Sequence, residues 1–377
     1  MSKWRLYRDG LGTLVGMIFG AGMFALPFVF SRAGIFWGVL HFLVAMFFML
    51  VLHLMYGEVA YLTDGQMRFT GYVRRFFGSK SEKFALVVTV FSYYGTLLVY
   101  GLLGGIFLSA LFPFPSVASL TLIFFAVAAL LSLFGFERIG TINFYLTIPL
   151  FIFVFYLFGS SFSFVRLENF LSGVSGNWFL PYGVWLFALG GFASLPEARD
   201  IMKGATLLDF RRVIIWSLTA SALIYFVFIA AVWGVSGAAT SEDALSGLAG
   251  QIGRQALLIG AVIGFLAVFT SYLALAADFK SIFKYDYGRK NLAAWALTVI
   301  PAPLLYVLGF SNLVKTLGLV GAIGLGVLGI FIIEMARRLH KRFPEHRHRL
   351  LGPRVWLRWI LIVGLLVGVF LEIWNLI

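Results

Sequence analysis

Leu11–Phe30 reads LGTLVGMIFGAGMFALPFVF. It carries no charge and has the length needed to cross a bilayer, which takes about 20 apolar residues. Its middle is Gly20-Ala21-Gly22, and Pro27 follows. Glycine weakens a helix and proline removes a backbone hydrogen bond. In hydrocarbon, backbone groups freed in this way survive only where they line a cavity or are buried in protein. The stretch therefore predicts a membrane helix broken at mid-depth, with the break used to hold something. A second copy lies further on: Gly22-Met23-Phe24-Ala25-Leu26-Pro27 aligns with Gly191-Phe192-Ala193-Ser194-Leu195-Pro196, 169 residues later. Glycine, leucine and proline coincide at the first, fifth and sixth places. Paired, glycine-interrupted spans in two halves of a chain point to a transporter's binding site.

The composition agrees with a membrane location. Of 377 residues, 61% are hydrophobic and 12% charged, whereas a soluble domain carries about 25% charged residues. Cysteine is absent, which excludes disulfides and thiolate metal sites. A net charge of +13 would indicate nucleic acid in a soluble protein; here the bias of basic residues to the cytoplasmic face accounts for it. The opening MSKWRLYRDG precedes a span without a small-residue cleavage site, so the first span is expected to be retained rather than removed as a signal peptide.

Eleven apolar segments can be marked: Leu11–Ser31, Gly34–Leu62, Phe84–Leu111, Val117–Phe136, Ile139–Phe162, Leu180–Glu197, Val213–Val235, Ala256–Ala277, Leu292–Phe310, Leu313–Ile333 and Trp356–Leu376. They are continuous rather than alternating, so helices fit and an outer-membrane barrel does not. With the N-terminus cytoplasmic, 25 of the 29 lysines and arginines fall on cytoplasmic segments, and only Arg32, Arg166, Arg254 and Lys315 fall outside. That asymmetry predicts a multi-pass protein of the cell membrane with an inside N-terminus and an outside C-terminus. The two broken helices are segments one and six. The chain reads as two five-helix repeats, 1–170 and 171–340, followed by a basic linker and an eleventh helix over 341–377. Five is odd, so the second repeat is inverted. Thr63–Lys83 has room for a short interfacial helix, and Ser236–Gln251 is expected to be mobile.

Candidate site residues follow from the breaks. A half-helix starting near Met23 has unbonded N–H groups that attract an anion such as a carboxylate. The half-helix ending near Phe19 offers free carbonyls for an ammonium or a bare cation. The alternative is close helix packing, which Gly12, Gly16 and Gly20 also fit. The expected substrate-binding set is Phe19, Gly20, Ala21, Gly22 and Met23 from segment one, and Phe187, Ala188, Leu189, Gly190, Gly191 and Phe192 from segment six. Segment three adds Tyr93, Thr96 and Tyr100, which share one helical face with Thr89; a polar stripe on a membrane helix faces protein or a cavity. Thr270 and Ser271 in segment eight, with carbonyls near Phe19, Gly20 and Met23, would complete an oxygen shell for a small hard cation, against the alternative that they bond their own helix. Glu58 and Glu334 lie near cytoplasmic ends; Glu58 is a proton-relay candidate, with pairing to Arg337 or Arg338 as the alternative for either acid. Phe19, Phe24, Phe187 and Phe192 are candidate lids. His41 and His53, twelve apart, form no metal pair. No acid or histidine pair has the spacing of an enzyme site, and no ring of charges marks a channel.

Gly16-Met17-Ile18-Phe19-Gly20-Ala21-Gly22-Met23-Phe24-Ala25-Leu26-Pro27 resembles the first-helix signature of amino acid permeases in the amino acid/polyamine/organocation superfamily. The branches most similar are the hydroxy/aromatic amino acid permeases and the amino acid/auxin permeases. Thr270-Ser271-Tyr272-Leu273 resembles a helix-eight run of the aromatic permeases, and Tyr94 to Tyr100 with Gly104-Gly105 resembles their helix three. Segment six looks more like a general superfamily pattern. The resemblance implies an all-α membrane protein of the LeuT-type fold and secondary transport of amino acids by alternating access. It also implies coupling to a gradient of sodium, held between the helix-one break and Thr270 and Ser271, or of protons. In some proton-coupled members a lysine of helix five takes the cation's place; segment five here has no lysine. Without a charged side chain at mid-depth, the expected substrate is a neutral, apolar or aromatic amino acid. No cofactor beyond the ion is expected. The partners are that small molecule and membrane lipid, not nucleic acid, and a monomer suffices. A channel, or a transporter for another small organic solute, is the alternative.

Overall fold

The computed structural model describes residues 3–112, 114–134, 139–171, 177–248, 250–251, 253–346 and 355–375, with the backbone alone for 139–144 and 146. Arg138, Arg347, Arg349 and Arg354, and the expected segment ends at Phe136 and Leu376, lie outside the described residues.

The described chain is helical throughout, with no strand. Helix α1 (Lys3–Ile18) stops where the glycines begin, and α2 (Gly22–Leu62) starts after a three-residue gap. Within α2 the chain turns sharply at Gly34, whose φ is 83°. Glycine alone adopts that conformation without cost, so the first and second segments meet at Gly34 without a loop. Helix α3 (Phe69–Phe77) fills the expected interfacial position. Next come α4 (Ser79–Leu111), α5 (Val117–Ser132), α6 (Ile139–Ser161) and the short α7 (Leu167–Leu171). The sixth segment is again two pieces, α8 (Leu180–Ala188) and α9 (Ser194–Ile201), separated by Leu189–Ala193. Helix α10 (Leu207–Ser236) opens on a capping box in which Thr206 and Asp209 bond each other's backbone N–H, satisfying donors that a helix start leaves free. Helices α11 (Arg254–Ser281), α12 (Asn291–Val299), α13 (Pro301–Val307), α14 (Leu313–Leu319), α15 (Gly326–Arg342) and α16 (Val355–Trp374) complete the chain. A π-helical turn, Val320–Leu325, joins α14 to α15.

Seven of these helical stretches are long and apolar enough to cross a membrane: Gly22–Leu62, Ser79–Leu111, Thr147–Phe164, Leu207–Ala239, Arg254–Asp286, Leu313–Arg342 and Val355–Trp374. The stretches Val117–Ser132 and Asn291–Val307 are apolar but shorter. Segments one and six fall out of the long class because their breaks divide them.

Lipid tails are as apolar as leucine, so close packing rather than water exclusion holds such helices together. Glycines supply it here. A Cβ on Gly22 would stand 2.5 Å from the Ala188 Cα, and Gly183 and Gly321 meet backbone to backbone. Trp185, fully buried, donates from its indole to the Gly38 carbonyl at 3.0 Å and ties α8 to α2.

Ser236–Gln251, described except at residue 249, has local structure of its own. It folds into two short 3-10 turns, Gly237–Ala239 and Ser246–Leu248, with Asp243 accepting from the Ser246 N–H and hydroxyl. Ala244, Leu245 and Leu248 are buried. Three apolar anchors hold a loop whose small residues alone read as loose.

Candidate functional site

The two breaks face each other. The carbonyls at the ends of α1 and α8 converge on one side chain, Tyr225 of α10. Its hydroxyl lies 2.6 Å from the Ile18 carbonyl and 2.9 Å from the Ala188 carbonyl, with one proton to share between them. Free carbonyls at a helix end need such a donor in a dry interior. Phe19 stacks on the Tyr225 ring at 5.3 Å and meets Phe151 edge-on at 5.1 Å. Sequence reasoning passed over Tyr225: a lone tyrosine in an apolar helix gives no signal until the fold brings both breaks to it.

Beside this junction lies a cavity. Ten of the fourteen expected substrate-binding residues line it: Gly20, Ala21 and Gly22 from the first break, Tyr93, Thr96 and Tyr100 from α4, and Phe187, Gly190, Gly191 and Phe192 from the second break. Phe19, Met23, Ala188 and Leu189 do not. Phe19 and Met23 are packed behind the first break, and Ala188 backs onto Gly22. Of the four candidate lids, Phe187 and Phe192 reach the cavity. Phe24 instead meets Phe107 edge-on at 4.8 Å in the core. Thr89 is buried off the cavity. His53 lies behind the second break. Its Nδ1 is 2.7 Å from the Met49 carbonyl and its ring is 4.7 Å from Phe192.

The expected cation ligands divide. The Ser271 hydroxyl donates to the Gly16 carbonyl at 3.1 Å, and a Cβ on Gly20 would stand 3.1 Å from its oxygen, so Ser271 faces the first break. Thr270 donates to Leu266 at 3.0 Å and Ala267 at 3.2 Å on its own helix.

One end of the cavity carries charges that the sequence did not single out. Tyr56, Phe69 and Asp278 line it there. Tyr93 donates to Asp278 Oδ2 at 2.8 Å. Arg68, from the loop before α3, places Nε 3.0 Å from Asp278 Oδ1 and Nη1 3.5 Å from Asp200 Oδ2. Asp286 holds the same loop, accepting from the Arg68 N–H at 3.2 Å, the Thr70 hydroxyl at 2.6 Å and the Gly71 N–H at 2.7 Å. Burial disfavours the Arg68 charge, but the Asp278, Asp200 and Glu197 carboxylates more than offset it and hold the guanidinium above its ordinary pKa. Nearby, burial pushes the Tyr72 hydroxyl up to about 12. The result is a plug of opposite charges at the cavity's α3 end. Its members sit in loops and at helix ends far apart in sequence, which is why no local motif exposes them.

Glu58 takes partners other than those expected. Its Oε1 accepts from Arg211 Nε at 3.0 Å and Nη2 at 2.7 Å, and its Oε2 lies 2.5 Å from His340 Nε2. Arg337 bonds Glu334 at 2.8 Å, and Arg338 donates to the Phe76 carbonyl. Helix α10 packs along α2, which sets Arg211 against Glu58. No group of three or more histidines and acids suited to a metal occurs among the described residues.

The sequence profile of the tryptophan/tyrosine permease family matches residues 9–371, and the chain belongs to that family. No curated protein matches it by sequence. Its fold is shared by solved structures, among them these three. MhsT in complex with L-phenylalanine has a TM-score of 0.69 at 16% identity, covering 98% of each chain. The manganese transporter of Eremococcus coleocola has a TM-score of 0.68 at 13% identity, covering 98% of this chain and 86% of that one. Mhp1, a nucleobase-cation-symport-1 family transporter in a closed conformation with bromovinylhydantoin bound, has a TM-score of 0.67 at 14% identity, covering 97% of this chain and 91% of that one. The chain thus has the LeuT-type fold of these transporters, and both family and fold are those of transporters rather than enzymes.

Proposed function

We propose that this member of the tryptophan/tyrosine permease family is a symporter that carries a neutral aromatic amino acid across the cell membrane by alternating access. The observation that carries the reading is the cavity between the two glycine breaks. Its breaks supply N–H groups for a carboxylate, its walls are mainly apolar and aromatic, and the one formally charged side chain lining it, Asp278, is engaged by Arg68 and Tyr93. Backbone dipoles suit a substrate's α-carboxyl and α-amino groups, and Phe187, Phe192 and Tyr100 suit a ring.

Eleven spans with a cytoplasmic N-terminus belong to this reading. Residues 1–170 and 171–340 are two inverted five-helix repeats, and 341–377 adds a basic linker and the eleventh helix. The facing breaks support that division, since each repeat contributes one. The substrate-binding role extends over the whole expected set, with Phe19, Met23, Ala188 and Leu189 acting through the backbone behind the lining. For the coupling ion we favour sodium, in a shell made by Ser271 and carbonyls near Phe19, Gly20 and Met23, with Thr270 completing it once its hydroxyl turns. The turn of Ser271 toward the first break supports this. Protons are the alternative, with Glu58 as relay.

Reconstituted vesicles test the reading. Uptake over a panel of amino acids is expected to favour tryptophan, tyrosine and phenylalanine. It should follow an imposed sodium gradient at equal pH, with Ser271→Ala raising the half-saturating sodium concentration. Preferred uptake of lysine, arginine or glutamate would overturn the substrate. Accumulation in sodium-free buffer that a protonophore abolishes would overturn the ion.

A further inference from the structure

A second cavity lies at the other end of the bundle from Arg68, beyond the Gly34 turn. Four formal charges line it. Arg32 comes from the end of the first half of α2, Glu242 from the loop after α10, Lys315 from the first turn of α14, and Glu372 from the last turn of α16. Arg32 and Lys315 are two of only four basic residues that the charge asymmetry leaves on the outer face, and the fold brings them to one recess across 283 residues of chain.

These charges are not spent on one another. Among the described residues, no ion pair within 4 Å joins Arg32, Lys315, Glu242 or Glu372 to anything. Glu58, Asp278 and Glu334, by contrast, are ion-paired. The Arg32 guanidinium rests over the Phe28 ring at 4.9 Å, which fixes the stem without using its N–H donors. Burial raises the pKa of the Glu242 carboxyl, and a hydrogen bond from the Val314 N–H and the Arg32 charge only partly oppose this. Trp178 and Phe179 add a second aromatic wall, stacked edge to face at 5.3 Å.

We propose that this outer cavity is a second binding site, for a free zwitterionic amino acid with an aromatic side chain. Its carboxylate would meet Arg32 and Lys315, its ammonium Glu242 and Glu372, and its ring Trp178 and Phe179. Two positive and two negative groups sum to zero, so neither a simple anion nor a simple cation neutralises the recess, whereas a zwitterion complements both halves with charge-assisted bonds. The proposal rests on the aromatic amino acid reading above. The central cavity lacks a basic side chain and holds its guest by backbone dipoles, so the two sites differ in what would disable them.

The test is equilibrium binding of L-tryptophan to the full chain in phosphatidylglycerol nanodiscs, with uptake measured in parallel. Two molecules per chain are expected. Arg32→Gln should leave one, Arg32→Lys should restore the second, and Gly191→Leu should remove the other one. Lys315, being exposed, supplies Lys315→Gln, a variant that leaves packing alone and should weaken the outer site at least tenfold. One molecule per chain in the wild type, or two that neither Arg32→Gln nor Lys315→Gln reduces, would overturn the site. Loss of the second molecule when phosphatidylethanolamine replaces phosphatidylglycerol would assign the recess to a lipid headgroup and also overturn it. Normal uptake with a single bound tryptophan would sink this inference alone, while two bound tryptophans without uptake would sink the transport reading alone.

Discussion

Gly22→Ala probes the contact on which the central site depends. The new Cβ would stand 2.5 Å from the Cα, 2.7 Å from the Cβ and 3.0 Å from the N of Ala188. Ordinary contact begins near 3.4 Å, so α2 and α8 must part by roughly 1 Å, as these figures and the stiffness of packed interiors require. None of the three atoms is the tip of a flexible side chain, and Tyr225 bridges both half-helix ends, so the junction resists. Overpacking costs about 1–3 kcal/mol, and a backbone partner puts this site at the upper end. Alanine is the better helix former by about 1 kcal/mol, which leaves a net loss of about 2 kcal/mol. Melting in detergent should fall by several degrees relative to Gly159→Ala, whose Cβ meets nothing within 4 Å. Uptake should fall further than stability, because the displaced half-helices no longer present their N–H groups to one point. Gly22→Ala that melts with the Gly159→Ala control and transports at the wild-type rate would refute the reasoning.

Tyr225→Phe should keep the Phe19 stack but leave the Ile18 and Ala188 carbonyls without their donor, at a cost of about 1–3 kcal/mol; a melting temperature equal to wild type would show that the hydroxyl bridges nothing. Arg68→Gln should open the cavity's α3 end: a cysteine at Leu275 should label faster from the cytoplasmic side. It should also destabilise the fold by about 3–5 kcal/mol through the buried, unpaired Asp278, and Asp278→Asn in the same chain should recover most of that; no recovery would mean that the pair is not coupled. Because the chain has no cysteine, single cysteines at Ser79 and Ser241 report topology with an impermeant thiol reagent. Ser241 should label from outside and Ser79 should not, and the reverse pattern would invert the orientation.

Composition and the uninterrupted apolar segments determined by themselves that this chain is helical and membrane-bound. A bilayer leaves so few ways to satisfy a backbone that hydropathy is nearly sufficient. The breaks were legible for the same reason: Gly20–Gly22 and Gly190–Gly191 violate helix preference at mid-depth, and both line the cavity. Ser271 was legible as a hydroxyl facing the first break, because carbonyls freed at a break need polar partners. Other features were decided only by tertiary structure. Tyr225 spans both breaks, Arg68 closes on Asp278 and Asp200, Glu58 takes Arg211 and His340, and Arg32 and Lys315 line one recess. Each joins residues far apart in the chain, by more than 100 positions except for Tyr225 and Ala188, through side chains whose types are unremarkable one at a time. A backbone that must be satisfied within its own span leaves a local mark on the sequence. A side chain that finds its partner across the bundle leaves none.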